Sequence, residues 1–260
     1  MGASHPVYAM REMKAVLLVG GLGTRLRSVV SSLPKALASV GSRPFLELLM
    51  RQLSSQGIRQ LVMCTGYLAE QIEEVVGDGS DLGVTVEYSK ESVPMGTAGA
   101  LKLAQRYVQD ESEFLLLNGD SFLEIDFNDL IDFHRKHESV ATIAVVPVEN
   151  ATRYGTVQMG SDRRVLGFAE KTGQNAPGTI NAGVYVLDSA VLAQISDGPA
   201  SLERDVFPKL LAQGVYAFEQ QGMFIDIGIP EDYARAREMC DRLANAALYN
   251  HGSVPSTAIS

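Results

Sequence analysis

The sequence has no tryptophan and only two cysteines, Cys64 and Cys240. These stand far apart and outside any CxxC or metal-ligand spacing, which excludes a disulfide framework and a cysteine zinc site. A reducing compartment fits, so a cytoplasmic location is expected. With no tryptophan and with tyrosine and phenylalanine scattered, there is no aromatic platform for single-stranded nucleic acid. Positive charge is in deficit: 22 Lys and Arg against 31 Asp and Glu give a net charge of −9. No overall field therefore draws the chain to nucleic acid or to an anionic membrane. Apolar runs long enough for a membrane span are missing too, and the leading MGASHPVYAMRE lacks the apolar stretch of a signal peptide. Residues 1–12 are expected to be a loose leader and 248–260 a flexible tail.

What remains is 46% hydrophobic over 260 residues, enough for a substantial core. A single domain is expected over residues 13–247. Short apolar runs alternate with amphipathic stretches in its first half. KAVLLV (14–19), QLVMCT (60–65), VTVEY (84–88) and EFLLLNGD (113–120) read as strands. RPFLELLMRQLSSQG (43–57), LAEQIEEVVG (68–77) and AGALKLAQRYV (98–108) read as helices. That rhythm predicts an α/β fold with a Rossmann-like, mixed and mostly parallel sheet flanked by helices. After about residue 138, VATIAVVPV, TVQM, RVLGFAE, INAGVYVL, VYAF and MFIDIG are strand-like with few helices between them, so an added antiparallel part is expected. A last helix spans roughly 230 to 246, started by Pro230, Glu231 and Asp232. His134 and His137 in FHRKH lack a third ligand nearby and are expected on a solvated helix face.

The chemistry-bearing stretch is LVGGLGTRLRSVVSSLPKAL (18–37), directly after the first strand. A dinucleotide GxGxxG loop would need glycine where Leu26 stands, and an acid near the end of the second strand, which instead ends Met63, Cys64, Thr65. A Walker loop needs Lys directly after a glycine, whereas Lys35 follows a proline. Gly20, Gly21 and Gly23 would let backbone amides approach phosphate oxygens. The fork of Arg25 and the compact charge of Lys35, set by Pro34, suit a di- or triphosphate.

GGLGTRL followed by PKAL resembles the signature of the sugar-1-phosphate nucleotidyltransferases. The resemblance continues in order through MGTAGAL (95–101), LNGD (117–120), YGTV (154–157), FAEK (168–171), NAGVYVL (181–187), ERDVFP (203–208) and FIDIGIPEDY (224–233), so it covers roughly residues 13 to 240. RSVVS inside the loop looks closest to the D-glycero-D-manno-heptose 1-phosphate guanylyltransferase branch. The resemblance implies a nucleotide-binding part up to about residue 138 and a sugar-binding remainder. It implies that Leu18, Gly20, Gly21, Gly96 and Thr97 meet the nucleotide's base and ribose side, while Gly23, Thr24, Arg25 and Lys35 hold the triphosphate. Arg25, Lys35 and Asp120 would be catalytic, with Mg²⁺ on Asp120 and Asp226. Glu170 and Lys171 would face the sugar and its phosphate, and Gly155, Asn181 and Glu203 its hydroxyls. Ala36 and Ile229 depart from the usual proline and threonine, but neither removes a charge.

The implied substrates are a nucleoside triphosphate, GTP first, and a sugar 1-phosphate, heptose first, giving a nucleotide-activated sugar for surface polysaccharide. Transfer to mannose 1-phosphate, and use of dTTP or UTP with a glucose-type sugar, stay open at this point. So does assembly as a homo-oligomer. A regulatory subunit that binds a nucleotide sugar without catalysis is the rival of another class. It predicts loss of the aspartates or loop cations, and Asp120, Asp226, Arg25, Lys35 and Lys171 are all present.

Overall fold

A computed structural model describes residues 13–26, 29–30, 32–169 and 176–248. Its first half runs β1 (Lys14–Leu18), the short hairpin β2 (Ser39–Val40) and β3 (Arg43–Pro44), α1 (Phe45–Ser55), β4 (Gln60–Thr65), α2 (Ala69–Val76), β5 (Thr85–Lys90), α3 (Gly96–Leu103), α4 (Gln105–Val108) and β6 (Glu113–Asn118). The strands β6, β1, β4 and β5 lie side by side in that order and all pair in parallel. The near-continuous apolar sequences of β1, β4 and β6 follow from burial on both faces, whereas the edge strand β5, TVEYSK, mixes exposed and buried residues. Along β1 and β4 the side chains alternate: Ala15, Leu17, Leu61 and Met63 enter one core, and Val16, Val62 and Cys64 the other.

The second half runs β7 (Ser121–Leu123), α5 (Phe127–Lys136), β8 (Ala141–Val148), β9 (Thr156–Met159), β10 (Val165–Ala169), β11 (Gly178–Asp188), α6 (Phe207–Gly214), β12 (Val215–Glu219), β13 (Phe224–Asp226), α7 (Pro230–Glu238) and α8 (Cys240–Ala246). The long β11 joins the halves. It pairs antiparallel with β6, β8 and β9, and its register shifts between Asn181 and Tyr185. The expected mixed sheet is therefore present, with its antiparallel part where the rhythm changes; β12 alone in that part pairs in parallel, with β8. Among the described residues no helix is long and apolar enough to cross a membrane.

Several boundaries differ from expectation. The helix read over 43–57 starts only at Phe45, because Arg43 and Pro44 form β3. The helix expected over 98–108 starts earlier, at Gly96, and breaks at Ala104. The last helix breaks at Met239 into α7 and α8. The strand read to Asp120 ends at Asn118.

His134 is the larger correction. With Phe127, Leu130 and Ile131 it occupies the buried stripe of α5, at the spacing of successive turns, and it is only 3% exposed. Its Nδ1 lies 2.9 Å from Thr142 Oγ1 on β8. His137 rests on the Phe133 ring, with 4.0 Å between centroids. Burial lowers the His134 pKa from 6.5 to about 4. The folded imidazole stays neutral, while the unfolded one takes up a proton below about pH 6.5. Its contribution is thus intact above that pH and is lost as pH falls toward 4, by up to about 3 kcal/mol. Urea midpoints measured from pH 7 to 4.5 should fall, and His134→Gln should flatten the curve in that window; parallel curves for the two proteins would contradict the assignment.

Candidate functional site

β1 has β4 on one side and β6 on the other, so the segments leaving β1 and β6 diverge. Such a switch point at the C-terminal ends of parallel strands is where open α/β sheets bind ligands. Here the two exits stay close: Gly119 N–H donates to the Leu18 carbonyl at 3.0 Å. The loop after β1 is anchored by Leu26, which is 1% exposed in the core, while Arg25 beside it is exposed. Gly23 has φ +57°, and a Cβ there would stand 3.1 Å from Lys35 Cβ. The loop can fold over Lys35 because residue 23 has no side chain.

Lys35 opens a short 3₁₀ turn after Pro34. Its Nζ is 2.6 Å from Asp120 Oδ2 and 3.8 Å from Asp226 Oδ1. Asp120 lies on the turn from β6 into β7, and Asp226 ends β13. The β7–β13 ribbon pairs Asp226 with Ser121, which brings together two acids far apart in the chain. Gly228 N–H donates to Asp226 Oδ1 at 2.6 Å. Burial, then the charge of Asp120, raises the Asp226 carboxyl above the ordinary range, while Lys35 and Arg25 act the other way.

Three adjoining cavities meet at this cluster. One of about 300 Å³ is lined by Gly21, Gly23, Thr24, Arg25 and Lys35. A second of about 390 Å³ is lined by Leu18, Gly20, Cys64, Glu91, Gly96 and Thr97. The third, about 720 Å³, is bounded by Arg153, Tyr154, Gly155, Asn181, Glu203 and Arg204. Asp120 is the only described residue that lines all three. Glu170 and Lys171 lie outside the described residues.

Motif reading missed several of these side chains. Glu91 follows β5 directly, and its Oε2 accepts the Met95 N–H at 3.2 Å. A Cβ at Gly66 would stand 2.6 Å from Glu91 Oε1, so residue 66 is bare where the carboxylate passes. Burial raises the Glu91 carboxyl, while the Met95 N–H bond acts the other way. The signal for it was an acid at the C-terminal end of a parallel strand. Arg153 donates to the buried Asp232 at 2.8 Å and lines the largest cavity. Cys64 is inert: burial, with the charge of Glu91, pushes its thiol up to about 12.

A strand-end crevice with glycines, two cations and paired carboxylates has the charges and bare backbone that suit a phosphate-bearing ligand. The nucleotidyl transferase family model matches residues 14–242, and the chain belongs to that family. It is 40% identical over 228 residues to the D-glycero-alpha-D-manno-heptose 1-phosphate guanylyltransferase of Aneurinibacillus thermoaerophilus, covering 87% of this chain and 97% of that protein. It is 37% identical to the mannose-1-phosphate guanylyltransferase catalytic subunit beta of Danio rerio, of which it spans 62%, across 85% of its own length. The crystal structure of HddC from Yersinia pseudotuberculosis complexed with GMP-PN superposes with a TM-score of 0.78 at 36% identity, covering 87% of this chain and 98% of that one.

Two glycines of the site make opposite predictions. Gly96 has φ +69°, and a Cβ there would meet the Ala200 carbonyl oxygen at 2.5 Å, whereas a Cβ at Gly21 meets nothing within 4 Å. Gly96→Ala is expected to cost roughly 2–3 kcal/mol of stability. Gly21→Ala should stay within about 0.5 kcal/mol. Chemical denaturation of both variants checks the contrast.

Proposed function

We propose that the protein is a guanylyltransferase, joining GTP and a sugar 1-phosphate, D-glycero-D-manno-heptose 1-phosphate first, into a nucleotide-activated sugar and pyrophosphate. The observation that carries this reading is the position of Asp120 where the three cavities meet. One cavity has the size and lining for a base and ribose, one for a triphosphate, and one for a phosphosugar. The resemblance of the whole chain to a heptose 1-phosphate guanylyltransferase supports the choice of sugar, and the free, widely separated cysteines suit the cytoplasm.

The base cavity favours guanine. In this reading the Glu91 carboxyl oxygens face the base as hydrogen-bond acceptors. The Watson–Crick edge of guanine offers two adjacent donors, the ring N1–H and the 2-amino group. Uracil and thymine offer one donor between two carbonyls, and adenine sets a ring acceptor beside its amino group. Guanine is thus the base that fills both carboxylate oxygens without repulsion.

In the reaction, a phosphate oxygen of the sugar 1-phosphate attacks the α-phosphorus of GTP. A new P–O bond forms, and the α–β bridging bond breaks with its electron pair leaving on pyrophosphate. The nucleophile is already an anion, so no general base is required. The barrier is repulsion between polyanions and charge growing on the leaving group, and fixed charges with correct placement lower it. In this reading Leu18, Gly20 and Gly96 border the base and ribose, and Gly21, Gly23 and Thr24 direct the loop backbone at the triphosphate. Arg25 and Lys35 neutralise the departing pyrophosphate, Lys171 and Glu170 take the sugar phosphate side, and Gly155, Asn181 and Glu203 orient the hydroxyls.

Asp120 and Asp226 fit a divalent cation. Two carboxylates converge on one charge, and burial first, then the charge of Asp120, raises the Asp226 carboxyl. Mg²⁺ needs only one or two carboxylates beside phosphate oxygens and waters. When bound, such an ion would supply charge neutralisation between the two reactants.

The test is pyrophosphate release with GTP, ATP, UTP and dTTP against heptose, mannose and glucose 1-phosphates, with Mg²⁺ and with chelator. GTP with the heptose phosphate should give the highest turnover, abolished by chelator. Asp120→Asn should lower kcat at least about 100-fold. Nucleotide binding without product from any pair would overturn the enzyme reading. Glu91→Gln should lower kcat/KM for GTP by about 10- to 100-fold and narrow the preference over UTP. An unchanged GTP preference would refute the role of Glu91.

A further inference from the structure

Glu203, on the sugar side, is held from the nucleotide side of the molecule. The segment 198–202 docks on the first turn of α3. Ala98 and Gly99 N–H donate to the Ala200 carbonyl at 2.9 and 3.3 Å, and Ala200 N–H donates to the Met95 carbonyl at 2.9 Å. A Cβ at Gly99 would stand 2.5 Å from the Gly198 carbonyl oxygen, and one at Gly96 as close to that of Ala200. The glycines of GTAG therefore permit two backbones to touch, and Gly96 also borders the base cavity.

Thr97 completes the joint. Its Oγ1 accepts the Leu202 N–H at 2.8 Å and donates to Glu203 Oε2 at 3.2 Å. Ser201 Oγ donates to the same oxygen at 2.8 Å. Tyr185 OH donates to Glu203 Oε1 at 3.2 Å and accepts from Asn181 Nδ2 at 2.9 Å. Tyr185 is fully buried, and its phenol is kept from ionising by that burial and by the charge of Glu203. An ionised carboxylate has about four acceptor positions. Three are filled by Thr97, Ser201 and Tyr185. One remains, on Oε1, in a residue that lines the largest cavity.

We propose that Thr97 is a positioning residue of the sugar subsite: by holding Glu203 it leaves one carboxylate lone pair set to receive one sugar hydroxyl. The proposal rests on the phosphosugar reading of that cavity. It departs from a nucleotide role for the Thr97 side chain, whose only hydroxyl proton is already given to Glu203. Through this joint the first turn of α3, beside the base cavity, and the sugar subsite are one rigid unit.

The test is a double-mutant cycle read on two ligands separately. Thr97→Val should raise KM for heptose 1-phosphate about tenfold. The rise in sugar KM should exceed any change in GTP affinity, measured by calorimetry without sugar, by at least about fivefold. Thr97→Ser, which keeps the hydroxyl, should restore the KM. In a Glu203→Gln background the Thr97→Val change should add less than about twofold, because its route is already gone. Should Thr97→Val not fold, Thr97→Ala removes the same hydroxyl and takes its place. Weakened GTP binding with an unchanged sugar KM, or effects that multiply in the double variant, would overturn the proposal while wild-type turnover stands. A wild type that turns over no sugar phosphate would overturn the function reading, and this inference with it.

Discussion

The ammonium of Lys35, 2.6 Å from Asp120 and 3.8 Å from Asp226, is the charge on which the arrangement of the site depends. Two carboxylates converging on a shared crevice repel, and burial together with that repulsion raises the Asp226 carboxyl. A partly buried cation between them makes the pair tenable. Each of the three arrives from a different element: a 3₁₀ turn after a glycine loop, the exit of β6, and the end of β13. Moving any one of those elements would leave a charge unpaired, so the ion cluster and the fold specify each other.

Around the cluster, closeness is obtained by removing side chains. Residue 23 is bare over Lys35, residue 228 beside Asp226, residue 66 beside Glu91, and residues 96 and 99 against the 198–200 segment. At residues 66, 96, 99 and 228 another residue's backbone or polar group comes nearer than a Cβ allows, and at residue 23 the constraint is φ +57° with Lys35 Cβ only 3.1 Å away. The glycine richness of the first loop therefore has two origins. Gly23 serves the fold, while Gly21, with open space around it, has no such structural demand.

The parallel half was legible because β1, β4 and β6 carry apolar runs, β5 alternates, and the helices carry stripes, signals of chain-local periodicity. The loop cations were legible because Gly, Arg, Lys and Pro cluster within one short stretch. Glu91 and Arg153 were not, since a single acid or base at a strand end is indistinguishable in sequence from a solvated charge. His134 misled for a related reason: FHRKH looks polar, yet residue 134 continues the stripe begun by Phe127, Leu130 and Ile131. The boundaries at Ala104 and Met239 were hidden because a change of helix direction answers to packing against other elements, which no local window contains.

By itself the sequence determined the alternation of strands and helices, the glycine- and cation-rich loop and the identity of the charged groups, because periodicity and residue chemistry are properties of neighbours along the chain. Only the tertiary structure decided that Asp226 meets Asp120 through the β7–β13 ribbon and that Thr97 reaches Glu203. Those meetings depend on which strands pair and which backbones can approach, and residues distant in the chain acquire a distance only when the sheet is formed.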